Sequence, residues 1–504
     1  MANPAVPFLV IYSSDLRVAD NPALHAAMTA AKDDGAPVVA LYVLEEAFEA
    51  GTRPSTETAR APGGAGRWWL HHSLEALARA LEDLHVPLVL RKGERTVIVK
   101  EIADEIGAGH LTWNRQYDAA GVAFGKAIKQ WAKTGGRTAK SYNGGLLHDP
   151  YTLKTKSGGP FRVFSPFWKA CLAAGDPVNV LPEPAALVKN PQVNEIHARC
   201  EMISERLADW RLLPEKPDWA KGFAKHLQPG EAGAKARLED FLAERAQYYA
   251  DGRDFPAGNN TSRLSAHLRY GEISPQQVWT ATKNAAAAIG RKNADKFLAE
   301  LGWREFSHHL LYHNPDLATA NFNPKFDDLE WYDGADAETL LRAWQKGRTG
   351  YPIVDAGMRE LWQTGIMHNR VRMVVGSFLV KHLLMDWRHG ETWFWDTLVD
   401  ACPANNTASW QWVAGCGADA APYFRIFNPI LQGEKFDADG TYVRQFVPEL
   451  AKVPNNFIHK PWAAAVSDLE KWGVRLGETY PAPIVAHEFA RERALAAFQN
   501  MKQE

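Results

Sequence analysis

Short apolar runs alternate with amphipathic stretches along the first part of the chain, from residue 8 to about residue 142. The runs PFLVIYSS, APVVALYVL and VPLVLRKG predict buried strands, and HLTWNR and RTAKSYNG predict two more. Between them, GRWWLHHSLEALARALEDL repeats apolar residues at helical spacing and predicts a long helix. Strands that alternate with helices are typical of a doubly wound parallel sheet, so we expect an α/β domain over residues 1–142.

The pattern changes twice further along the chain. Residues 143–225 are rich in Gly, Pro and Ser and predict an inter-domain linker with short helices. From residue 226 the strand signal fades, and stretches such as ARLEDFLAERAQYYADGR and NRVRMVVGSFLVKHLLMDW predict helices. Ser274 followed by Pro275 predicts the start of another helix, with a hydroxyl cap and a proline in the first turn. We therefore expect an all-α domain over residues 226–490.

Composition and charge indicate which broad class of protein this chain belongs to. Hydrophobic residues make up 46% and charged residues 23%, as in an ordinary globular protein, and the formal net charge of −2 gives no global sign of a polyanionic partner. The sequence has no run of about 18 apolar residues, and its first residues lack the basic segment of a signal peptide. We therefore expect a cytoplasmic protein that does not cross a membrane. The four cysteines are scattered, which favours neither a disulfide framework nor a thiolate metal site.

Two polar groups in the helical part could bind a ligand. The stretch TSRLS, residues 261–265, offers three hydroxyls at a helix start. They suit ordinary capping, which the pentapeptide alone favours, or a seat for phosphate. Glu300, Trp303 and Arg304 share one helix face. That face suits a planar polar ligand, or it belongs to an amphipathic surface helix with one partly buried tryptophan.

Other candidate residues also have both a structural and a functional interpretation. Arg372 lies near the start of a helix that is apolar almost all round, so it needs a carboxylate such as Asp400 or a polar ligand, and the two alternatives are level. His309 and His313 have i, i+4 spacing but no third ligand, so we predict no metal site. The 19 tryptophans indicate a large aromatic core on composition alone, with stacking or redox work as the alternative.

Seven segments stand in an order and at spacings that resemble the photolyase/cryptochrome family. They are TSRLS, WREF, TGYPIVDAGMREL, MHNRVRM, LVKHLLMDWR, ANNTASWQW and DAAPYFRIFNPILQGEKFD. The resemblance runs from the first strand to about Trp462 and is closest to bacterial photolyases for cyclobutane pyrimidine dimers, including class III, the subclass close to plant cryptochromes. It implies a Rossmann-like N-terminal domain that hosts a light-harvesting antenna and a helical C-terminal domain that holds FAD.

The FAD site of this family can be carried over residue by residue. The resemblance implies that Asn406 faces flavin N5 and that Arg372 favours the anionic reduced ring. Cys402 stands where many relatives have a second acidic residue, so a contact there would involve its backbone. The implied FAD contacts are Tyr249, Thr261, Ser262, Arg263, Leu264, Ser265, Glu300, Arg304, Asn369, Arg372, Asp400, Cys402 and Asn406.

The implied reaction is light-driven DNA repair by a carbon–carbon lyase. Relatives that repair (6-4) photoproducts have two histidines where this chain has Asn369 and Met373, so the resemblance implies cyclobutane pyrimidine dimers as substrate. Excited reduced FAD passes an electron to a flipped-out dimer, the ring opens, and the electron returns. Trp303 and Trp412 would sandwich the lesion. The implied DNA contacts are Arg253, Glu300, Trp303, Asn369, Arg370, Met373 and Trp412.

Several tryptophans match the electron relay of the family. Trp410, Trp387 and Trp331 match the residues that carry electrons from the surface to oxidised FAD, and Trp393 and Trp395 could provide a side branch. The implied catalytic set is Glu300, Asn406, Trp410, Trp387 and Trp331.

The resemblance also implies an antenna chromophore. Some bacterial relatives hold folate with an Asn-Glu pair, whose places here are Ala120 and Gly121. We therefore expect methenyltetrahydrofolate that is held differently, as in class III, with a deazaflavin or no antenna as the alternatives.

Two other functions compete with repair. A blue-light cryptochrome would use the same FAD and relay, but such proteins commonly lack the sandwiching tryptophans and carry long tails, whereas this chain has Trp303 and Trp412 and ends soon after its helical domain. A flavin redox protein without DNA is compatible with the net charge, but the set of Arg253, Trp303, Met373 and Trp412 argues against it. We expect a monomer whose partner is damaged DNA.

Overall fold

The computed structural model describes residues 5–45, 60–177, 180–420 and 424–501. It divides the chain into two compact units. The first unit comprises Met1–Asp218, Leu227–Glu244 and Ser262–Asp316, and the second comprises Trp219–His226, Arg245–Thr261 and Leu317–Glu504. These units are defined by the contacts between residues in the folded chain. The predicted ranges 1–142, 143–225 and 226–490 are defined by changes in the sequence pattern, and they stay a prediction.

A five-stranded parallel sheet forms the centre of the first unit. Its strands are β1 (Phe8–Tyr12), β2 (Val38–Leu44), β3 (Leu88–Lys92), β4 (His110–Asn114) and β5 (Thr138–Tyr142). Their order is β3-β2-β1-β4-β5, and every neighbouring pair is parallel. In the register, Phe8 lies beside Val38 and His110. The predicted doubly wound α/β domain is confirmed. The central strands are apolar throughout because helices cover both faces of such a sheet.

The helices occur in both units. In chain order the first ten are α1 (Pro22–Asp34), α2 (Gly64–Asp83), α3 (Arg95–Glu105), α4 (Ala119–Thr134), α5 (Phe164–Ala173), α6 (Pro191–Ile203), α7 (Glu231–Asp240), α8 (Tyr249–Gly252), α9 (Ser265–Tyr270) and α10 (Pro275–Ile289). The next ten are α11 (Arg291–His313), α12 (Ala337–Gln345), α13 (Pro352–Thr364), α14 (Asn369–Ser377), α15 (Trp387–Thr397), α16 (Pro403–Ala414), α17 (Pro429–Phe436), α18 (Thr441–Phe446), α19 (Val466–Lys471) and α20 (His487–Asn500). The predicted all-α C-terminal part is confirmed.

Local sequence signals explain several helix starts. Asn21 caps α1 by accepting a hydrogen bond from the backbone N–H of Leu24 at 3.1 Å. Ser274 and Gln277 form a reciprocal capping box at the start of α10, with Pro275 at the first position, as the sequence predicts. Among the described residues, no helix is both long enough and apolar enough to cross a membrane.

The longest predicted helix of the second unit is interrupted. Helix α14 ends at Ser377, a π-helical turn follows over Phe378–His382, and α15 begins at Trp387. Asp386 caps α15 by accepting from the N–H of Arg388 at 2.9 Å. The expectation of one continuous helix through NRVRMVVGSFLVKHLLMDW is therefore wrong, because apolar spacing does not reveal a change of helical pitch or a new cap. The stretch ARLEDFLAERAQYYADGR is broken in the same way, by a π-helical turn over Phe241–Arg245.

Each unit has its own hydrophobic core. In the first unit, the strands β1, β2 and β4 pack against α3 and α4 through residues such as Leu41, Ile98 and Ile128. In the second unit, one large cluster gathers α13 to α16 and includes Trp344, Trp387 and Trp410. Many of the tryptophans are therefore core residues, as composition alone indicates, and three of them are also relay candidates.

Candidate functional site

Arg372 and Asp400 form an ion pair in the second unit. The guanidinium Nη2 donates to Asp400 Oδ2 at 2.8 Å, and Nε donates to the carbonyl of Met367 at 2.8 Å. The side chain of Asp400 is only 4% exposed. Its other oxygen, Oδ1, is buried and has no hydrogen-bond partner among the described residues. A buried carboxylate oxygen without a donor is costly, so this atom is suited to accept from a polar ligand.

Asn406 is fixed in orientation by Glu391. It lies in the first turn of α16, and its Nδ2 donates both to the Glu391 carbonyl at 3.0 Å and to Glu391 Oε1 at 2.8 Å. Both side chains are buried. Because both hydrogens of the amide are used, its Oδ1 is the atom that can accept from a ligand. Glu391 is a residue that the sequence analysis missed, since it lies 15 positions away on α15.

The other residues of ANNTASWQW differ in burial and in hydrogen-bond partners along α16. Asn406 and Trp410 are one turn apart and both buried, whereas Trp412 lies on another side of the helix and is half-buried. The indole N–H of Trp412 donates to the carbonyl of Asp419 at 3.1 Å. Gln411 is buried, and its amide bonds to the backbone of Leu317, Ala320 and Phe322. Gln411 therefore anchors the segment before α12 to this helix.

The relay candidates belong to one hydrophobic cluster or pack against it. Trp410 is 3% exposed and packs edge-on against Phe394, with ring centroids 4.9 Å apart. A Cβ on Gly390 would meet the Trp410 ring at 2.1 Å, so only glycine lets α15 approach so closely. Trp387 is fully buried, and its indole donates to Asn321 Oδ1 at 2.9 Å. Trp331 is half-buried and packs against the same cluster.

The side-branch candidates are placed differently from each other. Trp395 is buried in the cluster. Trp393 is half-buried and stacks almost parallel on Trp362, at 6.1 Å and 7°. Trp362 is half-exposed, so this pair ends at the protein surface.

Three of the predicted DNA contacts lie together in the second unit. Arg370 Nη2 lies 2.8 Å from Asp254 Oδ2, and Arg370 Nη1 lies 3.8 Å from the sulfur of Met373. Arg253 Nε lies 3.8 Å from the same Asp254 carboxylate, at its Oδ1. Asn369, predicted to contact both FAD and DNA, is the exposed first residue of α14. Asp254 directly follows Arg253 in the chain but was not predicted as a site residue.

The remaining FAD candidates of the second unit lie in or near these elements. Tyr249 is the buried first residue of α8, and the guanidinium carbon of Arg253 lies 5.5 Å from its ring centroid. Thr261 is half-buried. Cys402 is buried, and its carbonyl accepts from the N–H of Asn406 at 2.9 Å as α16 begins.

In the first unit, the predicted face of α11 is formed. Trp303 stacks on Phe164, with centroids 3.7 Å apart and planes within 7°. Lys296 Nζ lies 3.5 Å from Glu300 Oε1, one turn away. Phe164 covers one face of the Trp303 indole, so at most the opposite face can stack on a base. The face therefore combines a carboxylate with an aromatic ring that a neighbour holds in place.

Arg304 has a buried partner that the sequence analysis missed. Its Nη1 lies 3.2 Å from Glu305 Oε1. Glu305 Oε2 accepts from the backbone N–H groups of Leu147 and His148 at 2.8 and 3.3 Å. Burial raises the pKa of Glu305 to about 7, although Arg304 and these donors act in the opposite direction.

The hydroxyl-rich stretch TSRLS forms a local turn just before α9. Ser262 Oγ accepts from the backbone N–H of Leu264 at 3.4 Å, just before α9 begins at Ser265. Arg263 is exposed and has a left-handed φ of 54°. Among the described residues, no side chain caps α9, so the structure does not show the capping alternative, and a contact of this stretch with phosphate stays a prediction.

Histidine pairs have structural partners. His309 Nε2 accepts from the backbone N–H of Phe161 at 3.0 Å, and burial lowers the pKa of His309 to about 4. Elsewhere in the described chain, His71, His72 and Glu75 lie close enough to offer three ligands to a metal ion. Glu75 is paired there with both imidazoles, at 3.4 and 3.2 Å, and half of its side chain is exposed.

Comparisons with known proteins agree with this arrangement. The family model for DNA photolyase matches residues 8–187, and the model for the FAD binding domain of DNA photolyase matches residues 297–500. The deoxyribodipyrimidine photo-lyase of Agrobacterium fabrum is 51% identical over 502 residues, which cover 100% of this chain and 99% of that protein. Cryptochrome-2 of Arabidopsis thaliana is 35% identical over 506 residues, or 98% of this chain and 79% of that protein.

Solved structures give the same result. A bacterial class III photolyase from Agrobacterium tumefaciens superposes with a TM-score of 0.91 at 50% identity, covering 100% of this chain and 99% of that one. An archaeal photolyase from Sulfolobus tokodaii, solved with two FAD molecules, superposes with a TM-score of 0.78 at 26% identity, covering 98% of this chain and 100% of that one. The chain therefore belongs to the photolyase/cryptochrome family.

Proposed function

We propose that this protein is a light-driven deoxyribodipyrimidine photo-lyase that binds FAD and splits cyclobutane pyrimidine dimers in DNA. The observation that carries the proposal is the 51% identity, over the whole chain, to a protein of that name. This similarity confirms the function and the enzyme class that the sequence predicts. The sequence also excludes the histidine pair of (6-4) repair, because Asn369 and Met373 occupy those positions.

The described residues suit FAD. Within the described part of the chain, Asp400 Oδ1 is a buried acceptor without a partner, Arg372 is a donor beside it, and Asn406 offers an amide oxygen. Buried polar groups of this kind match the edge of a flavin ring, which has both donors and acceptors. The match of residues 297–500 to the FAD binding domain of DNA photolyase supports the same cofactor. When bound, FAD would supply the light-driven electron transfer that opens the dimer.

Each residue of the proposed site then has a physical task. Asp400 and Arg372 bind and orient the ring, and the positive charge of Arg372 favours negative charge on it. Asn406 would offer its amide oxygen to flavin N5, because Glu391 binds the amide nitrogen. The residues that we propose hold FAD remain Tyr249, Thr261, Ser262, Arg263, Leu264, Ser265, Glu300, Arg304, Asn369, Arg372, Asp400, Cys402 and Asn406.

For DNA, we propose that indole faces bind the lesion and that arginines bind phosphate. Trp412 and Trp303 offer aromatic surfaces on which a flipped-out dimer can stack, and Glu300 can accept a hydrogen bond from a base edge. Arg253 and Arg370 carry the positive charge that phosphate requires. Damaged pairs stack poorly, so the energy needed to flip them is reduced and selectivity follows.

We propose the relay Trp410, Trp387 and Trp331 for reduction of FAD by light. All three belong to or pack against one hydrophobic cluster, and Trp331 is the half-buried member, which suits it to the surface end of the relay. A relay that ends at a half-exposed indole can accept electrons from reductants in solution.

The antenna, the oligomeric state and the location are proposed without assigning contact residues to them. We propose methenyltetrahydrofolate first and a deazaflavin second, because the similarity to a class III photolyase covers the whole chain. Chromatography of the chromophores released by denaturation, with their absorption spectra, distinguishes the two.

We propose that the protein is a monomer, which light scattering in solution tests. A cytoplasmic location stays a prediction.

The experiment for the proposed function illuminates the reduced protein with an oligonucleotide that carries one cyclobutane thymine dimer. Loss of the dimer in light but not in darkness is expected. A cryptochrome-like protein, the alternative suggested by 35% identity to Cryptochrome-2, would bind FAD and leave the dimer intact. Trp412→Ala should reduce repair, whereas Trp472→Ala, another half-buried tryptophan of the second unit, should not.

A further inference from the structure

Asp254 lies beside the two arginines that we propose for DNA phosphate. Its Oδ2 lies 2.8 Å from Arg370 Nη2, and its Oδ1 lies 3.8 Å from Arg253 Nε. The carboxylate side chain is 36% exposed, whereas the Arg370 side chain is 19% exposed. An anion that solvent can reach therefore faces both guanidinium groups at once.

Arg370 is held firmly but keeps capacity for a second anion. Its guanidinium carbon lies 4.4 Å from the ring centroid of Phe436, and its Nη1 faces the sulfur of Met373, which is a weak acceptor. Its Nη1 and Nη2 groups each carry two hydrogens, so each keeps one donor beyond its contact with Met373 or Asp254. A guanidinium has five donors in a planar fork, and phosphate oxygens match that fork.

The position of Asp254 is fixed by its neighbours. Phe255 packs edge-on against Phe436, with centroids 6.1 Å apart and planes at 66°. The same Phe436 ring supports Arg370, so one aromatic residue aligns the carboxylate and the guanidinium. The charge of Asp254 thus stays within a few ångströms of any group that binds Arg370, well inside a Debye length of about 8 Å at physiological salt.

We propose that Asp254 is a built-in counter-charge that competes with DNA phosphate for Arg370 and Arg253 and thereby limits the affinity for DNA of any sequence. The inference rests on the proposed function, because it takes DNA as the polyanion. A phosphate that approaches Arg370 must share the guanidinium with Asp254. The negative charge of the Asp254 carboxylate also repels the phosphate. Undamaged DNA is in large excess over lesions, so a lower phosphate affinity keeps the protein free to reach them.

The test replaces Asp254 by asparagine, which keeps the size of the side chain and removes its charge. Dissociation constants are measured in darkness over a series of salt concentrations. The two probes are a duplex without a lesion and the same duplex with one cyclobutane thymine dimer. Asp254→Asn should bind both duplexes more tightly and by a similar factor. The slope of log affinity against log salt should steepen by about 0.9, the effect of one further phosphate contact. Between about 50 and 200 mM salt, this makes the loss of affinity about threefold larger than in the wild type.

Asp468→Asn is the matched control. Asp468 pairs with Lys471 at 2.8 Å, and its side chain is 43% exposed, so the substitution makes the same change of charge elsewhere in the second unit. Asp254→Asn on an Arg370→Gln background should gain much less affinity than it does in the wild type, because the main guanidinium for which Asp254 competes with phosphate is then absent.

Three results would overturn the proposal. They are an unchanged affinity and slope in Asp254→Asn, an equal gain in Asp468→Asn, and a gain confined to the duplex with the lesion. If the wild-type protein binds neither duplex, the proposed function fails and this inference fails with it. If the wild type binds and repairs DNA while Asp254→Asn behaves like it, only this inference fails.

Discussion

Glu391 accepts two hydrogen bonds from the amide nitrogen of Asn406, through Oε1 at 2.8 Å and through its own carbonyl at 3.0 Å. An asparagine amide can rotate so that oxygen and nitrogen exchange places, and this pair of acceptors excludes the exchanged orientation. The amide oxygen is thereby presented to a ligand, and the carboxylate of Glu391 stays buried and partnered. Glu391 is thus a positioning residue in the proposed flavin site.

Glu391→Ala should release the amide of Asn406. We expect repair by pre-reduced protein to slow by up to about 100-fold, because a small misplacement of a catalytic group can have that effect. We also expect the reduced cofactor to reoxidise faster in darkness, because the amide of Asn406 would no longer be held in one orientation. Glu391→Gln keeps a side-chain acceptor and should stay close to the wild type in both measurements. A slow reoxidation in Glu391→Ala would refute the assigned role.

Trp410→Phe should separate photoreduction from repair. Reduction of oxidised FAD by light should slow strongly, whereas repair by chemically pre-reduced protein should remain. Trp344→Phe is the control, since Trp344 is also fully buried and packs edge-on against Trp410 at 6.2 Å. Both variants should lower the free energy of unfolding by about 1–3 kcal/mol, as large-to-small core changes do. Equal loss of photoreduction and repair in Trp410→Phe would contradict the relay.

Asp400→Asn should weaken FAD binding. The substitution removes the charge that pairs with Arg372, and hydrogen bonds to charged groups contribute about 1.5–3 kcal/mol. The FAD-to-protein absorbance ratio after gel filtration should fall. Glu449→Gln breaks another ion pair of the second unit, with Arg359 at 2.8 Å, and should retain FAD. Full FAD retention by Asp400→Asn would remove this residue from the proposed site.

Glu305 should make stability depend on pH. Burial raises its pKa from 4.5 to about 7, so between these values the folded protein keeps a proton that the unfolded chain has lost. The free energy of unfolding should therefore fall as the pH rises through this window. Glu305→Gln should flatten this dependence in urea unfolding experiments, whereas Glu101→Gln on the surface of α3 should not. The same slope in Glu305→Gln and wild type would show that another group titrates.

The sequence predicts the fold well because its signals are local. Apolar runs locate all five strands, and hydroxyl caps followed by proline locate starts such as that of α10. The π-helical turn at Phe378–His382 was missed because the apolar pattern runs through it. The family resemblance supplied the site residues, and the structure confirms that Arg372 pairs with Asp400.

The partners of the site residues could not be predicted from spacing. Glu391 lies on a different helix from Asn406, and Asp254 reaches Arg370 across more than a hundred positions of sequence. Such pairs depend on how elements pack, which periodicity does not encode. The stretch ANNTASWQW shows both cases: helical spacing separates buried Trp410 from half-buried Trp412, but the anchoring role of Gln411 appears only in the folded chain.

The central claim is that this protein repairs cyclobutane dimers by using light. Its most direct test presents the reduced protein with two oligonucleotides, one with a single cyclobutane thymine dimer and one with a single (6-4) photoproduct, in light and in darkness. We predict that only the dimer is lost, that only light causes the loss, and that two intact thymines are recovered. A dimer that persists under illumination would contradict the account.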